Sequence, residues 1–307
     1  MKDTLFFHQA ELLLQVLPYF RSEKDLALKG GTAINFFIND LPRLSVDIDL
    51  CYLQVLGREE SLQNITNAIG RVSETIQIHY PNSQIDPRVN HRDGVQYGFN
   101  IELNDVSIKV ETNYVIRGSV HPPVERELSK GCQELFNTAT RIQTLSREDL
   151  YGGKICAALD RQHPRDLFDI KVLFEGEGEG ISEDIRKTFI VYLISSPRPI
   201  VELLDPQIKD ISALFDQEFQ DMTREEVTLR ELEDARKKLV EWVRSELTVT
   251  ERSFLMSFKE GLPKWDLLEY KHIPDLPAVR WKLRNIETMP KAKHTAAVKK
   301  LERYLSS

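Results

Sequence analysis

The chain has 307 residues, 41 % hydrophobic and 29 % charged, with a net charge of −7. This balance excludes disordered, fibrous and collagen-like chains and leaves room for one large or two ordinary domains. No apolar run reaches the roughly 18 residues that a membrane span needs, and Cys51, Cys132 and Cys156 have neither C-x-x-C nor zinc-ligand spacing.

The cysteines are therefore expected to be buried free thiols of a reducing compartment. The start, "MKDTLFFHQAELLLQVLPYF", is broken by Asp3, His8, Glu11 and Gln15. It lacks the basic start and small-residue cleavage site of a signal peptide, so an amphipathic helix of a cytoplasmic protein is expected over 8–20. Helical patterns continue over 32–39 and 59–77. Alternation and β-branched content predict strands over 46–53, 95–103 and 106–116, the last two as a hairpin with "NDV" near its turn. The signals "LPR", "YPNSQIDP", "HRDG" and "RGSVHPPV" separate these elements.

Beyond residue 145 the pattern is helical, over 146–160, 164–174, 182–195, 208–218, 223–247, 250–260, 276–286 and 291–306. Ser146 has the look of a helix cap, and Thr223 with Glu226 has capping-box spacing. "EGEGEG" (175–180) is expected to be an acidic loop. The expected architecture is α+β, with an α+β domain over 1–145 and a mostly helical domain over 146–307.

Two stretches carry chemistry. In "LKGGTAINFFINDLPRLSVDIDL" (28–50), Asp47 and Asp49 lie two apart on a predicted strand, so both carboxylates share one face while Val46, Ile48 and Leu50 take the other. Paired carboxylates repel, and a divalent cation such as Mg²⁺ removes that cost by accepting them together with substrate phosphate oxygens. Glu111 in "IKVET" is the candidate third carboxylate, sharing its face with Lys109 and Asn113. Gly30 and Gly31 let backbone approach a ligand, the following helix start offers free N–H groups to phosphate, and Thr32 adds a hydroxyl. Further on, "YGGKICAALDRQHPRDLFDIKVL" (151–173) places Lys154 on a helix that Gly152 and Gly153 bring close to another backbone. Asp166 and Asp169, three apart, share a helical face. Lys154 suits a triphosphate, and a nearby acid would orient it or act as a base. "GGK" here is not a P-loop.

Charge is uneven. From Arg280 onward eight Lys/Arg face only Glu287 and Glu302, which makes the tail +6 and leaves −13 on the rest. Such a tail fits a phosphate chain or, equally, the solvated face of a terminal helix. Trp281 is expected to pack inward beside Val279 and Leu283 rather than stack on a base.

The order glycine pair, D-x-D, third-carboxylate strand resembles the DNA polymerase β-like nucleotidyltransferases. With "KICAALDRQHPRDLFDIKVL", "LTVTERSFLMSFKEGLPKWDLL" and "LPAVRWKLRNI", nearly the whole chain resembles the AbiEii/AbiGii toxin family of that superfamily. The resemblance implies a polymerase β-like core followed by a helical domain that completes the active site. It also implies the toxin half of a type IV toxin–antitoxin or abortive-infection system, acting in phage defence, with a cognate antitoxin that is often a winged-helix repressor. The implied reaction is transfer of a nucleotide from an NTP, with two Mg²⁺ ions, to an acceptor such as the 3′ end of tRNA. Lys29, Gly30, Gly31 and Thr32 would bind the triphosphate, and Arg43, Ser45, Arg161 and Arg165 would touch phosphate. Asp47, Asp49 and Glu111 would hold metal, and Lys154 and Asp166 would form a second catalytic pair. Two alternatives stay open: transfer to a protein or to a small molecule such as an antibiotic, and a non-catalytic NTP-binding module.

Overall fold

The computed structural model describes residues 4–176 and 180–306, so the centre of the expected acidic loop, 177–179, lies outside the described residues. Two compact units are present. The first is Met1–Leu150 with Phe219–Glu226, and the second is Tyr151–Glu218 with Val227–Ser307. The excursion Phe219–Glu226 is tied into the first unit by backbone bonds, Leu44 N to Met222 O (2.7 Å) and Arg224 N to Pro42 O (3.1 Å), and by the bridge between Arg43 and Thr223.

The first unit is α+β. Its seven strands are β1 (Leu26–Lys29), β2 (Asp47–Tyr52), β3 (Gln84–Asn90), β4 (Val95–Leu103), β5 (Val106–Asn113), β6 (Val124–Glu127) and β7 (Arg141–Thr144). They form one mixed sheet in the order β3-β4-β5-β2-β1-β7-β6. β1 runs antiparallel to β2, whereas β2 runs parallel to β5. The expected β4–β5 hairpin closes through Asn104 and Asp105, both at positive φ (51° and 62°). That two-residue turn matches the twist of the flanking strands.

Its helices are α1 (Leu5–Val16), α2 (Gly30–Ala33) prolonged by a π-helical turn over Ile34–Ile38, α3 (Arg58–His79) and α4 (Lys130–Phe136). α3 buries Leu62, Ile65, Ile69, Val72 and Ile76, an apolar stripe at helical spacing. α5 (Arg147–Asp160) begins in this unit and continues into the second.

Four strands have no counterpart in the sequence reading. β3 lies within and just after the turn signal "YPNSQIDP". Pro87 sits in it without cost because β3 is an edge strand. β1, β6 and β7 have four residues each and owe their existence to pairing.

The second unit is helical: α6 (Pro164–Glu175), α7 (Glu183–Ser195), α8 (Ile200–Leu204), α9 (Ser212–Glu218), α10 (Leu229–Glu246), α11 (Val249–Glu260), α12 (Pro277–Glu287) and α13 (Lys291–Ser306), with the remainder of α5. α10 starts later than the sequence suggested. Its capping box is Thr228 with Glu231, and Thr223 instead bridges to Arg43.

Gly98 in β4 is the tightest glycine of the sheet. A Cβ there would stand 2.1 Å from the Val110 carbonyl oxygen of β5. Gly98→Ala is therefore expected to lower stability by about 2–3 kcal/mol, read as a lower denaturant midpoint at unchanged slope. An unaltered midpoint would show that the β4–β5 spacing is not fixed as described.

Candidate active site

The turn between β1 and α2 and the start of β2 are packed against each other without space for side chains. Gly30 has φ +72°, and a Cβ on it would lie 2.6 Å from Asp49 Oδ2. A Cβ on Gly31 would lie 2.6 Å from an Arg43 guanidinium nitrogen and 3.2 Å from Ser45 Oγ. Both glycines are thus required by close approach, and the first also by its left-handed backbone.

Beneath them Arg43, Ser45 and Thr32 are buried, at 2 %, 6 % and 1 % exposure. Arg43 donates to Leu44 O (2.8 Å). The Thr32 hydroxyl donates to the Asp47 carbonyl (2.6 Å) and lies 2.9 Å from Ser45 Oγ. Thr32 was expected to offer its hydroxyl to phosphate. Its proton is committed instead to tying α2 to the first residue of β2.

Asp47 and Asp49 are half-buried on one face of β2 while Ile48 and Leu50 are buried on the other. The register sets Asp49 opposite Lys29 on β1 and opposite Glu111 on β5. The Asp49 side chain makes no hydrogen bond or ion pair among the described residues.

Glu111 is differently placed. Its carboxylate pairs with Arg88 Nη2 (2.8 Å) and Lys109 Nζ (3.0 Å). Among the described residues no group of three acidic, histidine or cysteine side chains stands ready to hold a metal. The expected convergence of Asp47, Asp49 and Glu111 is therefore not found, because two cations claim the third carboxylate. Arg88 escaped the sequence reading. No motif marks it, and only strand pairing brings it to this face.

In the second unit Lys154, Asp166 and Asp169 do come together. Gly152 lets α5 press against α7, since a Cβ there would stand 3.0 Å from Phe189 N. Lys154 Nζ lies 2.8 Å from both Asp166 Oδ1 and Asp169 Oδ2, with the acids fully buried. Arg161 adds a second cation to Asp166. Burial alone would raise the Asp166 carboxyl, but Lys154 and Arg161 outweigh it and hold the group well below the usual carboxylate range. It is a poor proton acceptor and a good orienting partner. Arg165 lies 3.5 Å from Glu218.

On α12 the buried face is Ala278, Val279, Lys282 and Ile286, which leaves Trp281 48 % exposed. The inward packing expected of Trp281 is corrected by this spacing. Burial pushes the Cys51 and Cys132 thiols up to about 12, so they are inert. None of the described helices is long and apolar enough to cross a membrane.

A family model described as nucleotidyl transferase AbiEii toxin of type IV toxin–antitoxin systems matches residues 11–285. The chain belongs to this family. It is accordingly a nucleotidyltransferase of the AbiEii toxin type. Among solved structures it is similar to MenT4, a nucleotidyltransferase toxin from Mycobacterium tuberculosis H37Rv, with a TM-score of 0.59 and 14 % identity over 92 % of this chain and 95 % of that one. At that identity the likeness is one of fold. No curated protein matches this sequence.

AbiEii membership implies an NTP substrate and, typically, a divalent metal. The donor set suits Mg²⁺: Asp47 and Asp49 share a face, and Asp49 is half-buried and unpartnered. Magnesium is commonly held by one or two carboxylates plus substrate phosphates, so a third protein carboxylate is not required.

The buried pair gives a pH signature. Because the folded-state value of Asp166 is depressed, its contribution is complete above the ordinary carboxylate value of 3.8 and is lost as pH falls below it. Asp166→Asn is expected to cost about 3 kcal/mol at neutral pH, and the gap to wild type should narrow below about pH 4. Urea melts of both proteins from neutral to acidic pH check this. A gap that does not change with pH would mean that the charge of Asp166 is not what stabilises.

Proposed function

We propose that this nucleotidyltransferase transfers a nucleotide from an NTP to the 3′ end of an RNA acceptor, in the first instance tRNA, with Mg²⁺ held by Asp47 and Asp49. The observation that carries the reading is the unpartnered Asp49 carboxylate, beside Asp47 and directly against the Gly30 turn. In the reaction the acceptor hydroxyl oxygen attacks the α-phosphorus in line. The bond to the bridging oxygen breaks, pyrophosphate leaves, and the hydroxyl proton passes to solvent.

Mg²⁺ bound at the two aspartates would supply charge stabilisation to the phosphoryl oxygens. The chain's own work is placement. Gly30 and Gly31 admit the triphosphate close to the backbone, and Lys29 beside Asp49 offers it a cation. Arg43 and Ser45 stiffen the turn from below. Lys154 and Asp166 belong to the proposal through the family resemblance, with Asp166 orienting Lys154. Arg161 and Arg165 remain candidates for phosphate contact.

Support for an RNA acceptor comes from α12 and α13. Arg280, Arg284, Lys299 and Lys300 are exposed and form no ion pair among the described residues, and the exposed Trp281 offers a stacking face. The partner in the toxin–antitoxin pair is a cognate antitoxin, for which a winged-helix repressor is the proposed type.

Labelled NTPs incubated with bulk tRNA test the reading. Asp49→Asn is expected to reduce transfer about 10³-fold while its thermal melt stays that of wild type. Undiminished transfer would end the proposal. Label entering protein or small molecules instead would redirect the acceptor.

Acceptor binding should also weaken with salt. If four phosphates are neutralised, affinity falls roughly 50-fold between about 50 and 200 mM salt. Affinity indifferent to salt would remove the basic helices from the acceptor site.

A further inference from the structure

Glu111 reaches Arg88 across an entire strand. Arg88 lies on the edge strand β3, and its partner in the ladder is Gly98 of β4. Gly98 in turn is paired with Glu111 of β5, which is paired with Asp49 of β2. Residues paired in this way point to the same face of a sheet. The four therefore form one row, and only Gly98 contributes no side chain to it. About 10 Å, two strand spacings, separate Arg88 from Glu111. The Arg88 guanidinium nonetheless lies 2.8 Å from the Glu111 carboxylate.

The ladder slips by one residue between Arg88 and Val89. Such a bulge on an edge strand re-aims the neighbouring side chain. Arg88 Nη1 is 3.5 Å from Asn100 Oδ1, and Nε is buried with no hydrogen-bond partner. The terminal nitrogens of the guanidinium keep N–H donors beyond these contacts. Meanwhile Lys109 Nζ holds the other oxygen of Glu111. Arg88, Lys109 and Glu111 together carry one net positive charge, set against the two negative charges of Asp47 and Asp49. A planar guanidinium with spare donors suits a phosphate.

We propose that Arg88, braced by Glu111 across Gly98, binds a phosphate oxygen of the NTP, and that Glu111 is a positioning residue for Arg88 and Lys109 rather than a third metal ligand. The inference rests on the nucleotidyltransferase site assigned to Asp47 and Asp49. It adds to that site a cation from the far edge of the sheet.

Equilibrium dialysis with whichever of the four labelled NTPs wild type binds best, at a series of Mg²⁺ concentrations, tests it. Arg88→Met is expected to weaken NTP binding about tenfold, the loss of one charge-assisted hydrogen bond. Glu111→Gln should weaken it by a similar or smaller factor, and the double variant should lose less than the two single losses combined. Neither single change should move the Mg²⁺ concentration for half-maximal binding by more than about twofold, whereas Asp49→Asn should raise it strongly. Arg88→Lys should recover part of the binding, and circular dichroism melts establish that each variant is folded.

Wild-type NTP affinity in both Arg88→Met and Arg88→Gln would overturn the proposal. So would a Glu111→Gln variant that raises the Mg²⁺ requirement as much as Asp49→Asn. Should Asp49→Asn leave both Mg²⁺ dependence and transfer untouched, the metal site itself fails, which is a result separate from either of these.

Discussion

β1 turns back along β2, and β2 lies parallel to β5. That arrangement aligns Lys29, Asp49 and Glu111 in one row. Because β1 ends where α2 begins, the same arrangement presses the Gly30 turn onto the Asp49 carboxylate. The chain there has no room for even a methyl group. The Gly30 backbone and the Asp49 carboxylate thus border the same small space. Such a space suits the proposed ligand, a metal-bound triphosphate, which offers both phosphate oxygens and a cation. The glycines, the acids and the strand order are one constraint expressed three times.

The part of this site that depends on short-range pattern was legible in the sequence. Alternation alone put Asp47 and Asp49 on one face and Ile48 and Leu50 on the other, and the structure has the same division. The spacing of Asp166 and Asp169 likewise led to one helical face, and both meet Lys154. What could not be read depends on pairing between distant segments. Arg88 comes to Glu111 only through the β3–β4–β5 register, and the segment holding it carries a proline that argues against a strand unless its edge position is known. Trp281 was misplaced for a related reason. Its two near neighbours are apolar, but the buried stripe of α12 runs through Ala278, Val279, Lys282 and Ile286. The true cap of α10 was hidden by a second Thr-x-x-Glu at 223–226, whose threonine is taken by Arg43.

The two acid clusters differ in what their surroundings ask of them. Asp166 is fully buried and held by Lys154 and Arg161, so its charge is settled within the folded chain and breaking the pair would strand a buried ion. Asp49 is half-buried and has no partner. Its charge is not engaged by another side chain, so it stays available to a ligand. The contrast fits the proposed division, in which the first acid orients Lys154 and the second binds the ligand, although residue type and spacing are alike.

The layer under the glycine turn extends the same logic. Thr32, Arg43 and Ser45 have side chains that suit phosphate, yet all three are buried and engaged with the chain itself. Thr32 fixes the start of β2 by its bond to the Asp47 carbonyl, and Arg43 fills the volume that Gly31 leaves. A guanidinium locked below the turn adds positive charge without moving, and it keeps the distance between turn and aspartates constant. For the proposed transfer, a site with its supporting side chains already engaged meets the condition under which electrostatic stabilisation is strongest. The remaining cations lie in the strand row, where Lys29, Lys109 and Arg88 stand on strands on either side of β2.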